Sequence, residues 1–355
     1  MKRIITCSDG TWNRPGVADK GKLVRTNVQK IFEAISKYDA QNQVYQLKYY
    51  NEGIGAEGNW WTRVMNGATG KGIDENILSS YKFIMWNYEP GDEIYLFGFS
   101  RGAYTARSLA GLIRNCGILK NNDLSLIQEA YNIYRDRTDA TVPKSEIAQN
   151  FKAQNSYEIS NIKFIGVWDT VGSLGIPLNA FQVINKRKYA FHDTTLSSII
   201  DNAFHALSID ERRKNFQPTL WNQSKDVVKR STPQVLEQRW FPGVHSNIGG
   251  GYPDESLSDI TLQWMIAKAK DTGLVFENDF LTKNIKSTYK GTIYNSYVFP
   301  YTLGKKYIRP IAKATDSVEI VDESAIQRFN DLVTYKSTNL ENYLKSKESR
   351  IVPDN

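Results

Sequence analysis

Cysteine and histidine are scarce in this 355-residue chain, which contains two cysteines and three histidines. None of them has the spacing of a zinc site, and we expect neither a metal centre nor a cofactor. Cys7 and Cys116 both lie in apolar runs, so we expect buried, reduced thiols instead of a disulfide. Such thiols are typical of a protein of the cytosol.

Long hydrophobic runs are also missing. The apolar stretch after Met1 is too short for a signal peptide, and no segment has the length of a membrane span. We therefore expect a protein that is cytoplasmic as synthesised, and delivery to another compartment would need a non-classical secretion system. Internal repeats and Pro-Ser linkers are absent, which favours one domain over about 1–345 and a polar tail at 346–355.

No single segment concentrates charge of one sign. The net charge of +7 is distributed over scattered lysines and arginines, and no nucleic-acid motif accompanies it, so we expect no nucleic-acid partner. The glycine-rich segment 53–72 has neither P-loop nor Rossmann spacing, which argues against nucleotide binding. A hydrophobic content of 41% is nevertheless sufficient for a globular core.

Apolar strands alternate with amphipathic helices along the chain. Strands are predicted at 3–7, 43–50, 93–99, 161–170 and 236–244, and helices at 27–35, 73–88, 101–115 and 256–270. This alternation is typical of an α/β fold with a mostly parallel central sheet covered by helices.

Two stretches interrupt or extend this alternation. A polar helical stretch at about 120–158 is predicted to be an insertion and a candidate lid. The residues at 288–321 are predicted to add strands or long loops to the same domain, as a C-terminal decoration.

The most informative motif is Gly98-x-Ser100-x-Gly102, which ends one predicted strand and opens the next helix. A sharp strand-to-helix turn strains the central residue, and its neighbours must lack a Cβ to avoid clashes. Ser100 is therefore our candidate nucleophile, and an ordinary turn serine is the alternative.

A serine nucleophile needs a base, and the chain has three histidines to offer. We favour His245, which follows a predicted strand in a glycine-rich turn where catalytic residues are commonly placed. His205 is predicted to lie within a helix, where it could face the core, bond a backbone carbonyl, or support the site from behind the residues that react. His192 lies in a polar segment and is the weakest candidate.

The acid that orients the base should follow another strand, between serine and histidine in chain order. Asp169 has this position, at the end of the apolar run 164–169, although it could instead cap a turn before Gly172. Asp210 is the reserve candidate, but we expect it to pair with an arginine.

An oxyanion formed during acyl transfer needs backbone N–H donors. We assign the first to Arg101, after the nucleophile, and the second to the turn at Gly10 and Thr11. Asp9 is expected to stabilise that loop by accepting its amides, with metal binding as the alternative.

Five phrases of this chain carry a resemblance to a known family: SDGTWN at 8–13, GFSRGA at 98–103, VWDTVG at 167–172, HALSIDERR at 205–213 and WFPGVHSNIGGGY at 240–252. In order and spacing they resemble the α/β-hydrolase family labelled domain of unknown function 2235, which includes the catalytic domains of type VI secretion phospholipase effectors. The resemblance implies an α/β-hydrolase-like fold, cleavage of phospholipid acyl esters, and a triad of Ser100, Asp169 and His245.

Together these observations predict a serine hydrolase of the phospholipase A or lipase type. The alternatives are an esterase or thioesterase that acts on a soluble acylated molecule, and a hydrolase fold retained as a binding module. Expected partners are a lipid or other acyl-ester substrate, a transient membrane contact and a secretion or immunity protein. The aromatic stretch 294–301, followed by Lys305 and Lys306, is either a lipid-facing loop or, as we favour, buried strand packing.

Overall fold

An eight-stranded sheet organises the fold. The computed structural model describes residues 1–10, 16, 18–19, 21–53, 71–136, 138–158, 161–171, 194–223, 233–299, 301–312 and 318–348. The strands in chain order are β1 (Arg3–Ser8), β2 (Ala18–Asp19), β3 (Lys22–Leu23), β4 (Tyr38–Asp39), β5 (Val44–Asn51), β6 (Glu93–Phe99), β7 (Ile162–Trp168), β8 (Ile200–Ser208), β9 (Val235–Phe241) and β10 (Glu319–Val321).

The order of the strands across the main sheet is β10-β9-β8-β7-β6-β1-β5-β4, and β2 pairs with β3 in a separate ribbon. Every neighbouring pair of the main sheet is parallel except β4 with β5. Parallel strands place their carboxyl ends at one edge of the sheet, where open α/β sheets bind ligands. A functional site is therefore expected at this edge of the sheet.

Helices cover both faces of the sheet. They are α1 (Asn27–Ala34), α2 (Lys71–Asn87), α3 (Arg101–Cys116), α4 (Leu124–Arg135), α5 (Glu146–Asn155), α6 (His245–Gly249), α7 (Ser256–Asp271), α8 (Asn278–Asn284), α9 (Glu323–Asp331) and α10 (Thr338–Glu348). Within the described ranges, no helix combines the length and the hydropathy that crossing a membrane would require.

Side chains alternate between the two faces along each strand, and this alternation builds a core on each face of the sheet. Leu96 of β6 faces the cluster that contains α2 and α3, whereas its neighbour Phe97 faces the cluster that contains α1 and α7. Both cysteines are buried and free, as predicted. The predicted α/β-hydrolase-like architecture, a mostly parallel sheet between helical layers, is confirmed.

The helices of the predicted insertion, α4 and α5, pack against α3 and not as an isolated unit. Ile127, Ala130 and Tyr131 of α4 and Phe151 of α5 are buried in the same core cluster as α3. The lid over about 120–158 and the single domain over 1–345 stay predictions.

Two local predictions are wrong. The segment around His205, predicted to be helical, is the strand β8, whose residues are almost all buried. The run IDNAFHALS mixes apolar and polar residues and shows neither a clear helical nor a clear strand period, and pairing with β7 and β9 decides for a strand. The stretch 294–301 was predicted to be buried strand packing, but its residues 294–299 form no strand and Phe299 is 76% exposed.

Candidate active site

Ser100, Asp169 and His245 converge at the carboxyl edge of the sheet. Ser100 follows β6 and Asp169 follows β7, the neighbouring strand. His245 comes four residues after the end of β9 and opens the short helix α6. Parallel pairing thus brings together three side chains that are 69 and 76 residues apart along the chain.

Ser100 lies in the strained turn that the motif predicts. Its φ of 58° and ψ of −118° belong to a region that residues with a side chain rarely adopt. A Cβ on Gly98 would lie 2.4 Å from the carbonyl oxygen of Gly102, and one on Gly102 would lie 2.0 Å from that of Ser8. Both glycines are therefore required by close backbone contacts.

Because backbone oxygen atoms cannot withdraw as a flexible side chain can, Gly102→Ala is expected to destabilise the protein by about 3 kcal/mol or more. Urea unfolding followed by circular dichroism measures this change. Gly304→Ala is the matched control, because its new Cβ would have Tyr301 O as its nearest neighbour at 3.5 Å, an ordinary contact. Equal unfolding midpoints for the two variants would contradict the proposed clash.

A continuous line of hydrogen bonds joins the three side chains. Ser100 Oγ lies 2.8 Å from His245 Nε2, and His245 Nδ1 lies 2.6 Å from Asp169 Oδ2. Because the ionised carboxylate can only accept, Nδ1 carries the proton and donates it to Asp169, which leaves Nε2 to accept from the serine hydroxyl. The Ser100 side chain makes no capping hydrogen bond to α3, unlike an ordinary serine at a helix start.

Asp169 is held by a residue that the sequence analysis did not identify, Arg309. Arg309 Nη1 donates to Asp169 Oδ1 at 2.6 Å, and Nη2 donates to Oδ2 at 3.0 Å. Both side chains are completely buried, and Ser208 N also donates to Oδ1. The aspartate thus has a buried counter-charge in addition to the histidine.

The burial and the charges act in opposite directions on the two titrating groups. Burial alone would raise the pKa of Asp169, but the Arg309 charge and the hydrogen bond from His245 lower it well below its ordinary value. Burial lowers the pKa of His245 more than the neighbouring Asp169 raises it. The imidazole therefore stays neutral, as a general base must be, to a lower pH than an ordinary histidine does.

Aromatic rings fix the orientation of His245. The centre of the Phe99 ring lies 4.7 Å from that of the imidazole in a tilted arrangement, and the Phe216 ring packs edge-on at 5.0 Å. Gly249 leaves the room for Phe99, because a Cβ there would lie 2.1 Å from that ring. The His245 backbone N–H donates to Glu211, whose carboxylate also pairs with Arg213.

Of the other two histidines, the structure describes only His205. His205 is completely buried in β8, where Nε2 accepts a hydrogen bond from the Thr170 backbone N–H and Nδ1 contacts Gln238 Oε1. Burial is the main cause that lowers its pKa to about 3. His205 therefore supports, as a neutral ring, the turn that follows Asp169, whereas His192 lies outside the described residues.

The environment predicted for Asp210 is wrong in one respect. Its carboxylate accepts hydrogen bonds from the Tyr335 hydroxyl at 2.9 Å and the Gly243 N–H at 2.7 Å. The arginine pair expected for it is made by its neighbour Glu211 instead. Through Gly243, Asp210 anchors the loop that leads to His245.

The loop after β1 also differs from the prediction. The Gly10 N–H, assigned to an oxyanion, donates to Asp9 Oδ1 at 2.6 Å and already has this acceptor. Asp9 Oδ2 accepts from the Thr26 and Tyr50 hydroxyls, so the carboxylate stabilises its loop as expected. Thr11 lies outside the described residues, and the role of the Arg101 N–H stays a prediction.

Known proteins resemble this chain over most of its length. Residues 2–268 match the family model described as "T6SS, Phospholipase effector Tle1-like, catalytic domain". The "Uncharacterized protein YEL023C" of Saccharomyces cerevisiae is 33% identical over 424 aligned residues, which cover 80% of this chain and 59% of the yeast protein. The family match agrees with the resemblance inferred from the five phrases, and it supports the expectation of a hydrolase.

Two solved structures are more distant. "Crystal structure of an uncharacterized protein from Pseudomonas aeruginosa" aligns with a TM-score of 0.46 and 17% identity over 81% of this chain and 49% of that one. "Structure of the Tle1 effector bound to the VgrG spike from the Type 6 secretion system" aligns with a TM-score of 0.38 and 22% identity, over 71% of this chain and 51% of that one. The chain thus spans about half the length of these structures and 59% of the yeast relative.

Proposed function

Because the chain belongs to the family of Tle1-like phospholipase effector catalytic domains, we propose that it is a serine hydrolase that cleaves acyl esters of phospholipids. The observation that carries this proposal is the hydrogen-bonded line from Ser100 through His245 to the buried Asp169. The strained backbone of Ser100 and the helix that begins directly after it support the same reaction class.

In the first half of the proposed reaction, His245 Nε2 takes the proton of the Ser100 hydroxyl while Oγ attacks the ester carbonyl carbon. Asp169 stabilises the imidazolium that forms. The tetrahedral intermediate collapses when the bond to the alcohol oxygen breaks, and that oxygen takes the proton from Nε2. The products of this half are a lysolipid, or another alcohol, and an acyl group bound to Ser100.

In the second half, His245 Nε2 takes a proton from water, and the water oxygen attacks the acyl carbon. The bond to Ser100 Oγ breaks, and the serine regains its proton from the imidazolium. The fatty acid leaves and the enzyme returns to its first state. The two halves together consume one ester and one water molecule and need no other reactant.

The oxyanion of both intermediates lies, in this proposal, at the amino terminus of α3. The first N–H groups of a helix have no partner within the helix, and they point at the residue before it. The Arg101 N–H is the donor adjacent to the nucleophile. We do not include the Gly10 N–H, since Asp9 already accepts it.

A fluorophosphonate probe tests the nucleophile. We expect the probe to label the wild-type protein covalently at Ser100, identified by peptide mass spectrometry, and not to label Ser100→Ala. Purified wild type should also release fatty acid from phospholipid. A folded wild-type protein that neither reacts nor hydrolyses any ester would instead favour the non-catalytic binding module.

The lipid substrate and the protein partners need tests of their own. If short soluble esters or thioesters were hydrolysed and phospholipid were not, the soluble-substrate alternative would replace the lipid. Only the family membership supports a secretion or immunity protein as a partner. Co-purification with the wild-type chain tests for such a partner.

A further inference from the structure

A short loop beside the active site exposes large apolar side chains. Phe299 is 76% exposed, Leu303 is 79% exposed, and Val298 is also exposed. The Tyr297 hydroxyl donates to the carbonyl of Gly304, so the two ends of the loop that carries these three residues meet. Single exposed apolar residues are ordinary, but a group of them on one short loop indicates a contact surface. We call Val298, Phe299 and Leu303 the apolar tip.

Aromatic contacts attach this loop to the catalytic histidine. The Tyr301 ring packs edge-on against Phe216 at 5.7 Å, and Phe216 packs edge-on against His245 at 5.0 Å. The Arg213 guanidinium lies 3.4 Å from the centre of the Phe216 ring and 5.0 Å from that of Tyr301. The apolar tip is therefore fixed on the edge of the sheet where Ser100 lies.

Cationic side chains surround the base of the same loop. Lys305 and Lys306 follow the apolar tip directly, and Lys306 lies over the Tyr297 ring at 5.5 Å. Lys306 also lines a cavity of about 490 Å³ together with Arg212 and Lys336. Asp210 lines this cavity too, but its carboxylate already accepts hydrogen bonds from Tyr335 and Gly243.

We propose that the apolar tip and the lysines behind it form the surface with which this protein docks on a membrane of anionic phospholipids. Phenylalanine and leucine enter the acyl region, and lysines remain at the level of the phosphates, where anionic lipids attract them. The proposal rests on the proposed function, since it supplies the phospholipid at the edge that holds Ser100.

The charge pattern favours a lipid surface over a protein groove as the occupant. The exposed apolar side chains lie on the same short segment as Tyr297, Tyr301 and the two lysines, and this combination of apolar, aromatic and cationic side chains is typical of a membrane interface. The overall charge of +7 acts in the same direction, because it attracts the whole protein to an anionic surface.

Vesicle co-sedimentation in a Ser100→Ala background tests docking without lipid hydrolysis. Vesicles of phosphatidylcholine alone are compared with vesicles that also contain phosphatidylglycerol. Phe299→Ser combined with Leu303→Ser is expected to weaken binding to both vesicle types by about tenfold or more. Lys305→Gln combined with Lys306→Gln should remove most of the preference for the anionic vesicles.

The matched control is Trp86→Ser. Trp86 is 56% exposed, but it lies at the end of α2, next to the amino end of β6 and thus at the opposite edge of the sheet. We expect this variant to bind as the background does. In proteins that retain Ser100, the tip variant should lower hydrolysis of vesicles more than hydrolysis of a short monomeric ester.

Three results would overturn the docking surface: unchanged vesicle binding by the tip variant, an equal loss with Trp86→Ser, or a dimer that the tip variant converts to monomer while vesicle binding persists. A failure of the proposed function is distinguishable. In that case neither ester is hydrolysed by the wild-type protein, whereas the binding assay still reports on the apolar tip.

Discussion

Replacing Ser100 with alanine is expected to lower kcat for ester hydrolysis by roughly 10⁴- to 10⁶-fold. The hydroxyl at 2.8 Å from His245 Nε2 is the atom that forms the acyl bond, and no other atom of the alanine variant can replace it. His245→Ala is expected to cause a loss of similar size, because an unassisted serine hydroxyl is a weak nucleophile.

The two substitutions should not be additive. Serine and histidine act as one unit, so the double variant is expected to be about as slow as either single variant. Steady-state hydrolysis of a soluble ester measures all three, and circular dichroism confirms that each is folded. Ser108→Ala is the matched control, because this buried serine of α3 has no hydrogen-bond partner for its hydroxyl among the described residues. Retention of wild-type kcat by Ser100→Ala would reject the proposed mechanism.

Replacing Arg309 with methionine is expected to move the pH profile and to destabilise the protein. The substitution removes the buried cation that is paired with the Asp169 carboxylate, and removal of one member of a buried ion pair costs about 3–5 kcal/mol. It also removes a positive charge that disfavours the imidazolium, so the pKa of His245 should rise.

The direction of the pH change follows from these pKa values. In the wild type, burial lowers the pKa of His245 below the ordinary 6.5, so the acid-side limb of kcat/KM should lie below pH 6.5. In Arg309→Met the limb should move to higher pH, and Arg309→Lys, which keeps the charge, should move it less. A limb that stays in place or moves to lower pH would contradict the role of Arg309.

The stability of the wild type is also expected to depend on pH. Because the pKa of Asp169 is lowered in the folded protein, its contribution is present above the ordinary 3.8 and is lost as the pH falls further. Urea unfolding at several pH values should show that the free energy of unfolding of Arg309→Met falls less at low pH than that of the wild type. Arg239→Met is the control, because it removes partly exposed ion pairs to Glu237 and Asp322 and should leave the pH profile unchanged.

Much of the site could be predicted because its signals are local. The turn at Ser100 needs small neighbours on both sides, and this steric demand is visible as two glycines around one serine. Asp169 and His245 each follow an apolar strand, and parallel strands end at one edge, so their meeting follows from the order of the elements. The bounds of strands such as Glu93–Phe99 could also be predicted, because an apolar run between turn-forming residues defines them.

What the sequence by itself determined was therefore the fold class, the strained turn and the order of acid and base, all of which depend on short local patterns and on the order of those patterns along the chain. The tertiary structure alone decided that Arg309 holds Asp169 from 140 residues away, that the run around His205 is a strand, and that Asp9 accepts the Gly10 N–H. It also decided that the apolar tip is exposed. These outcomes depend on which distant groups compete for a charge, a hydrogen bond or a buried surface, and such competition has no period or spacing along the chain.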